Sequence, residues 1–284
     1  MSAHNCLTDV TGVHVGHADD SARVTGATAI LVERPNVASV FVPGGAPGSR
    51  DTELLAPQQT VDGVDAIVLS GGSAFGLDAA GGVMALLAGR GVGLDVGTAR
   101  VPIVPQAITF DLDASDGAAE RAGSFYWDLG WRAAAMAVSS HPSTPVEIGS
   151  VGGGMGATTA DLKGGLGTAS MTVAGGETVA ALAVVNAIGS VLAAADDPNF
   201  LAGGVERGAE FGGLGALAGS TGVAPLRTKL GAPPSTTIAC IATDATLTKP
   251  EAKRLAIMAS AGLARAVNPV FAPMDGDTIF TVAT

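Results

Sequence analysis

Charged side chains are scarce in this sequence. They make up 14% of the 284 residues, against 47% apolar residues, so most of the chain must be buried. Only 15 residues are basic and the formal net charge is −11, so no basic stripe is present that could neutralise phosphates. The composition therefore argues against nucleic acid and anionic membranes as partners.

Cysteine is equally scarce. Cys6 and Cys240 are too few for a disulfide framework, and Cys240 lies in an apolar run typical of a buried strand. The N-terminus has neither the basic nor the apolar segment of a signal peptide, which predicts a cytoplasmic protein. The longest uncharged apolar stretch, residues 179–195, is marginal for a membrane span and is interrupted by Asn186 and Gly189. We expect it to form a buried strand, a turn and a helix.

Glycine is abundant instead. The sequence has 41 glycines without a Gly-X-Y period, which predicts many tight turns between short strands. Apolar periodicity predicts helices over residues 74–89, 127–138 and 250–266, the last capped by Thr248 with Glu251 in its first turn. The helices fall between clusters of strands, which predicts a layered α/β domain without an internal boundary over residues 1–284. Residues 196–235 are rich in Gly and Pro and form the best candidate for an exposed, cleavable connection.

Two predicted strands begin with side chains that can carry chemistry. Ser235-Thr236-Thr237 leads into an apolar run, and Asp275-Gly276-Asp277 leads into the strand predicted from Thr278. A hydroxyl at one strand end and carboxylates at another suit a nucleophile and its orienting groups. The alternatives are a threonine that merely enters a strand and a solvated Asp-Gly turn.

Three further patterns carry less information. His14 and His17 form H-x-x-H, which suits a metal site less well than a turn stabilised by His17. Residues 152–157 loosely match a dinucleotide-binding fingerprint, but no helical pattern follows them. Ser73 lacks the glycine two residues later that a nucleophile elbow requires, so a Ser-His-Asp triad is unsupported. We expect neither a metal nor a cofactor.

Longer motifs run through the whole chain in one order. They are Val-Gly-His at 15–17, Gly-Gly-Ala-Pro-Gly at 44–48, residues 69–78 and 101–112, Lys-Gly-Gly-Leu-Gly at 163–167, Ser-Thr-Thr-Ile at 235–238, Asp244 and Asp-Gly-Asp-Thr-Ile-Phe at 275–280. On these motifs the sequence resembles the DmpA-type aminopeptidase and nylon-oligomer hydrolase family, which are self-processing N-terminal-nucleophile amidohydrolases. The resemblance implies a four-layer αββα sandwich of two packed sheets flanked by helices, a homotetramer, and small peptide or amide substrates.

The resemblance also implies a maturation step. Thr236 would attack the carbonyl of Ser235, and hydrolysis of the resulting ester would give an α chain, 1–235, and a β chain, 236–284. The freed amine of Thr236 would then serve as the base for its own hydroxyl, because an α-amine has an ordinary pKa of about 7.7–8.0. Thr237 is the neighbouring candidate, although alternation along a strand turns it to the opposite face.

Seven other positions match functional positions of the family. Asp275 and Asp277 would orient the nucleophile, and Asn186 would stabilise the oxyanion or else be a satisfied core residue. The resemblance gives the remaining positions electrostatic or substrate-contacting roles: Lys163 near the nucleophile, Phe110 where relatives carry a substrate- or oxyanion-contacting Tyr, and Gly72 and Ser73 in a loop that lines the pocket.

Two departures from the family pattern keep alternatives open. Relatives usually carry Asn or Gly before the nucleophile, where this chain has Ser235, which tolerates positive φ less readily. The sequence stops at Thr284, where relatives continue with another helical segment, so it is either a short member or truncated. The rivals to an amidohydrolase are a Thr-nucleophile acyltransferase of the ornithine acetyltransferase type and an unprocessed, non-catalytic binding protein.

Overall fold

The computed structural model describes residues 4–114, 125–141, 144–195, 197–210, 212–216, 226–229, 231 and 234–284. Its α-helices are α1 (Ala79–Gly89), α2 (Phe125–Ser139) and α3 (Lys249–Ala266). Its strands are β1 (Val13–Asp20), β2 (Thr25–Val32), β3 (Val37–Phe41), β4 (Ser49–Arg50), β5 (Ala66–Ser70), β6 (Leu94–Asp95), β7 (Arg100–Val101), β8 (Gln106–Ile108), β9 (Gly165–Thr172), β10 (Thr178–Asn186), β11 (Leu192–Ala194), β12 (Asp197–Phe200), β13 (Thr236–Thr243) and β14 (Thr278–Ala283).

Ten of these strands form two five-stranded sheets. The first sheet has the order β1-β2-β5-β8-β4, and the second has the order β3-β14-β13-β10-β9. Neighbouring strands are antiparallel except for β5 with β8 and β13 with β14, which are parallel. Because β13 and β14 run in the same direction, the residues that precede them meet at one edge of the second sheet.

The main core lies between the two sheets. Alternate residues of β13 divide between two layers: Ile238 and Cys240 face the first sheet, whereas Ala239 and Ile241 face α3. On the other side of the molecule, α1 and α2 pack against the outer face of the first sheet. The order of layers is therefore helix, sheet, sheet, helix, and the predicted αββα architecture is confirmed.

Glycine allows the helical layer on the first sheet to pack at very short range. A Cβ atom at Gly130 of α2 would lie 1.9 Å from the backbone oxygen of Ala79, and one at Gly82 of α1 would lie 1.9 Å from that of Trp127. Such contacts are too short for any side chain, so α1 and α2 touch backbone to backbone. Part of the high glycine content therefore serves close packing rather than turns.

The local predictions have mixed outcomes. The cap of α3 is confirmed, since the Thr248 N–H donates to Glu251 at 2.8 Å. The helix predicted within residues 187–195 is wrong: β11 occupies part of this segment, and Ser190 pairs with Asn268. Residues 147–151 form no strand, and their strand pairing is a single bridge between Gly149 and Leu166. The predicted connection 196–235 begins with β12, and much of the rest lies outside the described residues.

Candidate active site

Thr236 is the first residue of β13, at the edge of the layer between the sheets. Its side chain points to the same face as those of Ile238 and Cys240, and only 3% of the residue is exposed. The residue directly opposite on β10 is Asn186, which is fully buried. A hydroxyl and an amide therefore share the end of the inter-sheet core.

Two donors converge on the carbonyl oxygen that precedes Thr236. The Gly276 N–H donates to the Ser235 oxygen at 2.8 Å, and the Thr236 hydroxyl donates to the same oxygen at 2.5 Å. Ser235 also forms a parallel bridge with Asp275. Its φ is not positive, so the carbonyl is presented by an ordinary backbone conformation rather than a strained one.

Gly276 has no room for a side chain. A Cβ atom there would lie 2.7 Å from the Thr236 hydroxyl oxygen and 2.8 Å from the backbone oxygen of Ala46. The Ala46 N–H in turn donates to the backbone oxygen of Asp275 at 2.8 Å. The glycine-rich loop 44–48 thus clamps the Asp-Gly-Asp segment against the nucleophile candidate.

The two carboxylates of this segment are buried and are held by backbone donors. Asp277 accepts from the Thr237 N–H at 2.5 Å and from the Phe271 N–H at 3.0 Å. Burial, and secondly the nearby charge of Asp275, raise the pKa of Asp277 to about 7. Asp275 accepts from the Ala272 N–H at 3.0 Å with Oδ2. Its Oδ1 has no hydrogen-bond partner among the described residues.

Burial is also the main influence on Asp275. It raises the pKa of this carboxyl, against the opposing effects of the Ala272 N–H and the positive charge of Lys229. With a pKa of about 7, Asp277 can take up and release a proton near neutral pH.

Asn186 is fixed on both sides of its amide. Its Nδ2 donates to the Phe110 oxygen at 2.8 Å, and its Oδ1 accepts from the Thr158 N–H at 3.0 Å. The amide therefore links β10 to the segment that follows β8, where Phe110 lies. Phe110 enters the site through its backbone oxygen.

Lys229 is the site residue that sequence reasoning missed. Its Nζ lies 3.2 Å from the Asn186 Oδ1 and 3.3 Å from the Ser235 hydroxyl oxygen. Burial lowers its pKa to about 8, against the attraction of Asp113 and Asp275. One signal could have found it: Lys229 is the only charged residue between Arg227 and Asp244, in the segment that leads to the nucleophile.

Each of the three other predicted site residues is held by a hydrogen bond. The Nζ of Lys163 is exposed and donates to the Met155 oxygen at 2.7 Å. Gly72 has a φ of +89° and donates from its N–H to Asp111 at 2.8 Å, while the Ser73 N–H donates to the Thr109 oxygen at 2.9 Å. The Gly72–Ser73 loop is thus bonded to both neighbours of Phe110.

The remaining sequence candidates fall outside this arrangement. His17 lies within β1 rather than in a turn, its Nδ1 is 3.0 Å from the Thr28 hydroxyl, and burial lowers its pKa to about 4. His14 pairs with Glu33 at 3.0 Å. Over the described part of the chain, no group of three or more His, Cys, Asp or Glu residues could hold a metal ion. Gly152–Gly154 form one 3-10 turn, and no helix follows over residues 155–164.

Comparison with known proteins identifies the family. The model of the family described as Peptidase family S58 matches residues 5–284. The chain belongs to Peptidase family S58. It is 43% identical to a Mycobacterium bovis protein named as an uncharacterized aminopeptidase, over 99% of this chain and 81% of that protein. It is 29% identical to the 6-aminohexanoate-oligomer endohydrolase of a Kocuria species, over 97% and 74% of the two chains.

Solved structures agree with this membership. The structural match to a beta-aminopeptidase of a Burkholderia species covers 100% of this chain and 73% of that protein, with a TM-score of 0.68 and 26% identity. The L-aminopeptidase D-Ala-esterase/amidase of Ochrobactrum anthropi, described as a variant of the Ntn hydrolase fold, has a TM-score of 0.66 at 21% identity, over 99% and 74% of the chains. The fold is that of Ntn hydrolases, and this S58 member is an enzyme that hydrolyses amide bonds. Among the described residues, none of the helices is long and apolar enough to cross a membrane.

Proposed function

We propose that this amide hydrolase matures by cutting its own Ser235–Thr236 bond and then uses Thr236 as its N-terminal nucleophile. One observation carries the proposal: the Thr236 hydroxyl and the Gly276 N–H both reach the Ser235 carbonyl oxygen. The hydroxyl is therefore already beside the carbonyl group that it must attack. The N–H occupies the position of an oxyanion donor for that attack.

The cut proceeds through an ester. The Thr236 oxygen bonds to the Ser235 carbonyl carbon, its proton passes to the Asp275–Asp277 pair, and the C–N bond breaks as the departing nitrogen takes up a proton. Water then hydrolyses the ester, which returns a proton to the Thr236 oxygen and leaves a carboxylate on Ser235. The products are chains 1–235 and 236–284. Before the cut Thr236 is almost completely buried, so separation of Ser235 also opens the nucleophile to substrate.

In the mature enzyme the new amine replaces the carboxylates as proton acceptor. It takes the proton of the Thr236 hydroxyl as the oxygen attacks a substrate amide, and gives it to the leaving nitrogen. Asp277 holds the β13 backbone through the Thr237 N–H, and Asp275 keeps an open oxygen for the ammonium form. Asn186, at the same edge, turns its amide toward the oxyanion once its bond to Phe110 is exchanged for substrate.

The substrates that we propose are small amides with a short N-terminal group. The names of the relatives support peptides and β-peptides on one side and ω-amino acid oligomers on the other. Phe110 lacks the hydroxyl that a Tyr at this position would offer, so its side chain contributes apolar contact only. We further propose a homo-oligomer, as the resemblance implies. An acyltransferase would differ in one readout, since it would form product only when an amine acceptor is added.

Intact-mass analysis of the purified protein tests the proposal. The wild-type chain should lose a fragment of 49 residues, Thr236 to Thr284, and gain amidase activity in parallel. Thr236→Ala should stay intact and inactive, whereas Thr236→Ser keeps a hydroxyl and should still be cut. Cleavage of the alanine variant at the same bond would show that Thr236 is not the nucleophile. A wild-type chain that stays whole would favour the unprocessed binding protein.

A further inference from the structure

Lys229 lies at the ends of the two neighbouring strands that form the proposed cleavage site. It contacts Asn186 at the end of β10 and Ser235 immediately before β13. Its Nζ also approaches the Asn186 backbone oxygen at 3.5 Å. These contacts place an amine on the acyl side of the bond to be cut, whereas the carboxylates lie on the β14 side. Nothing in the mechanism proposed above uses it.

The charged groups that face Lys229 are acidic. Asp275 precedes β14 and Asp113 follows β8, and both attract the ammonium group. Asp277 is a further acidic group at this edge, and its pKa is raised to about 7 by burial and, secondly, by the charge of Asp275. The nearby cation on the same segment, Arg227, is engaged elsewhere, with Asp161 at 3.3 Å and the Ser190 hydroxyl at 2.7 Å. Within the described residues, Lys229 is thus the cation that balances the site carboxylates.

We propose that Lys229 is a positioning residue for self-cleavage, which fixes Ser235 and Asn186 around the scissile bond and keeps the Asp275 carboxylate ionised. The inference rests on the proposed function, because it concerns the same cut. An ionised Asp275 can accept the proton of the Thr236 hydroxyl, whereas a protonated one cannot. Since burial favours the protonated form of Asp275, the lysine charge opposes the main obstacle to that step.

The contact with Ser235 gives Lys229 a second, separable effect. The Ser235 hydroxyl fixes the acyl residue against the lysine, while the Asp275 effect depends only on charge. Removal of the hydroxyl should therefore disturb geometry and leave the electrostatics in place. Removal of the charge should disturb both. The two substitutions distinguish a structural lysine from one that sets the pH dependence.

Refolding of unfolded, uncut chain provides the experiment. Chains purified in urea are diluted into buffers from about pH 5 to about pH 9, and the fraction cut is followed by intact mass. Lys229→Met should cut about tenfold more slowly than wild type, with the acid limb of the rate profile moved up by about one pH unit, because loss of a nearby opposite charge raises a carboxyl pKa. Lys229→Arg should keep the wild-type limb. Ser235→Ala should be cut more slowly than wild type, with the acid limb of its rate profile at the wild-type pH.

Each outcome bears on one claim. An unmoved acid limb in Lys229→Met, at any rate, overturns the proposed role of the charge. If Lys229→Met fails to refold, Lys229→Gln takes its place, because it also removes the charge but keeps a polar side chain: an acid limb moved up by about one pH unit supports the proposal, and an unmoved limb overturns it. Failure of the wild-type chain to cut at every pH refutes the self-cleavage itself, and this inference with it.

Discussion

The α1–α2 face of the first sheet and the Thr236 edge of the second sheet are both buried, but by opposite means. The first is filled by alanine, glycine and branched apolar side chains in backbone-to-backbone contact. The second buries two carboxyls, an amide and two hydroxyls, with a half-buried lysine in contact with two of these residues. Buried ionisable groups cost free energy of folding unless they are paired. The proposed function accounts for this arrangement, because several buried charges at one edge do little for stability and suit a site where protons are exchanged.

The largest expected effect is on the packed face. Gly130→Ala should lower the free energy of unfolding by about 3–5 kcal/mol, because the added methyl overlaps the Ala79 carbonyl group and two helices must separate. Chemical denaturation measures the change. Gly262→Ala is the matched control on α3, where a Cβ atom meets nothing within 4 Å. That substitution should stabilise the protein by about 0.5–1 kcal/mol, and equal effects at the two glycines would contradict the packing argument.

The next effect concerns the pH dependence of stability at the polar edge. The pKa of Asp277 is raised to about 7 in the folded chain, so the folded state holds a proton that the unfolded state has lost. Its contribution to stability is therefore present at low pH and is lost as the pH rises from about 4 through about 7. In a Thr236→Ala background that cannot cut, Asp277→Asn should flatten this decline by about 2–3 kcal/mol. Urea unfolding of the two variants at pH values on either side of that range gives the difference directly. If the free energy of unfolding depends on pH in the same way in both variants, Asp277 is ionised over the whole pH range.

The smallest of the three effects is on the position of the nucleophile. Gly276→Ala puts a methyl group 2.7 Å from the Thr236 hydroxyl oxygen, which must move. Displacement of a reacting atom by a fraction of an ångström should slow self-cleavage about 10- to 100-fold. Refolding followed by intact mass measures the rate. Gly167→Ala on β9, where a Cβ atom meets nothing within 4 Å, should cut at the wild-type rate.

Much of the fold could be predicted because its signals are local. The alternation of β13, the Thr248–Glu251 cap and the glycine turns each depend on a few adjacent residues. The layered order followed from family resemblance. The helix wrongly predicted within 187–195 has the opposite cause: Gly189 meets the backbone of Pro269, and Ser190 pairs with Asn268, both far away in sequence. Long-range pairing of this kind overrides local propensity.

The candidate site residues also divide into those that the order of the strands brings together and one that arrives through a long-range contact. Thr236, Asp275 and Asp277 stand at the starts of neighbouring parallel strands, so strand order alone brings them together. Lys229 reaches the site through a bridge between Gly189 and Thr228, and no periodic pattern marks that contact. Lys163, in contrast, is predicted from the family resemblance, and its exposed Nζ donates to the Met155 backbone oxygen.

The dependence of the scissile carbonyl on Gly276 has a consequence for the order of events in the cell. The donor is the Gly276 N–H. Gly276 lies 40 positions after Thr236 in the sequence and shortly before β14. A nascent chain that has not yet emerged from the ribosome beyond that strand cannot polarise the bond. Under the proposed mechanism the cut therefore waits until the segment before β14 has paired with the segment before β13, and no unfinished copy carries a reactive amine.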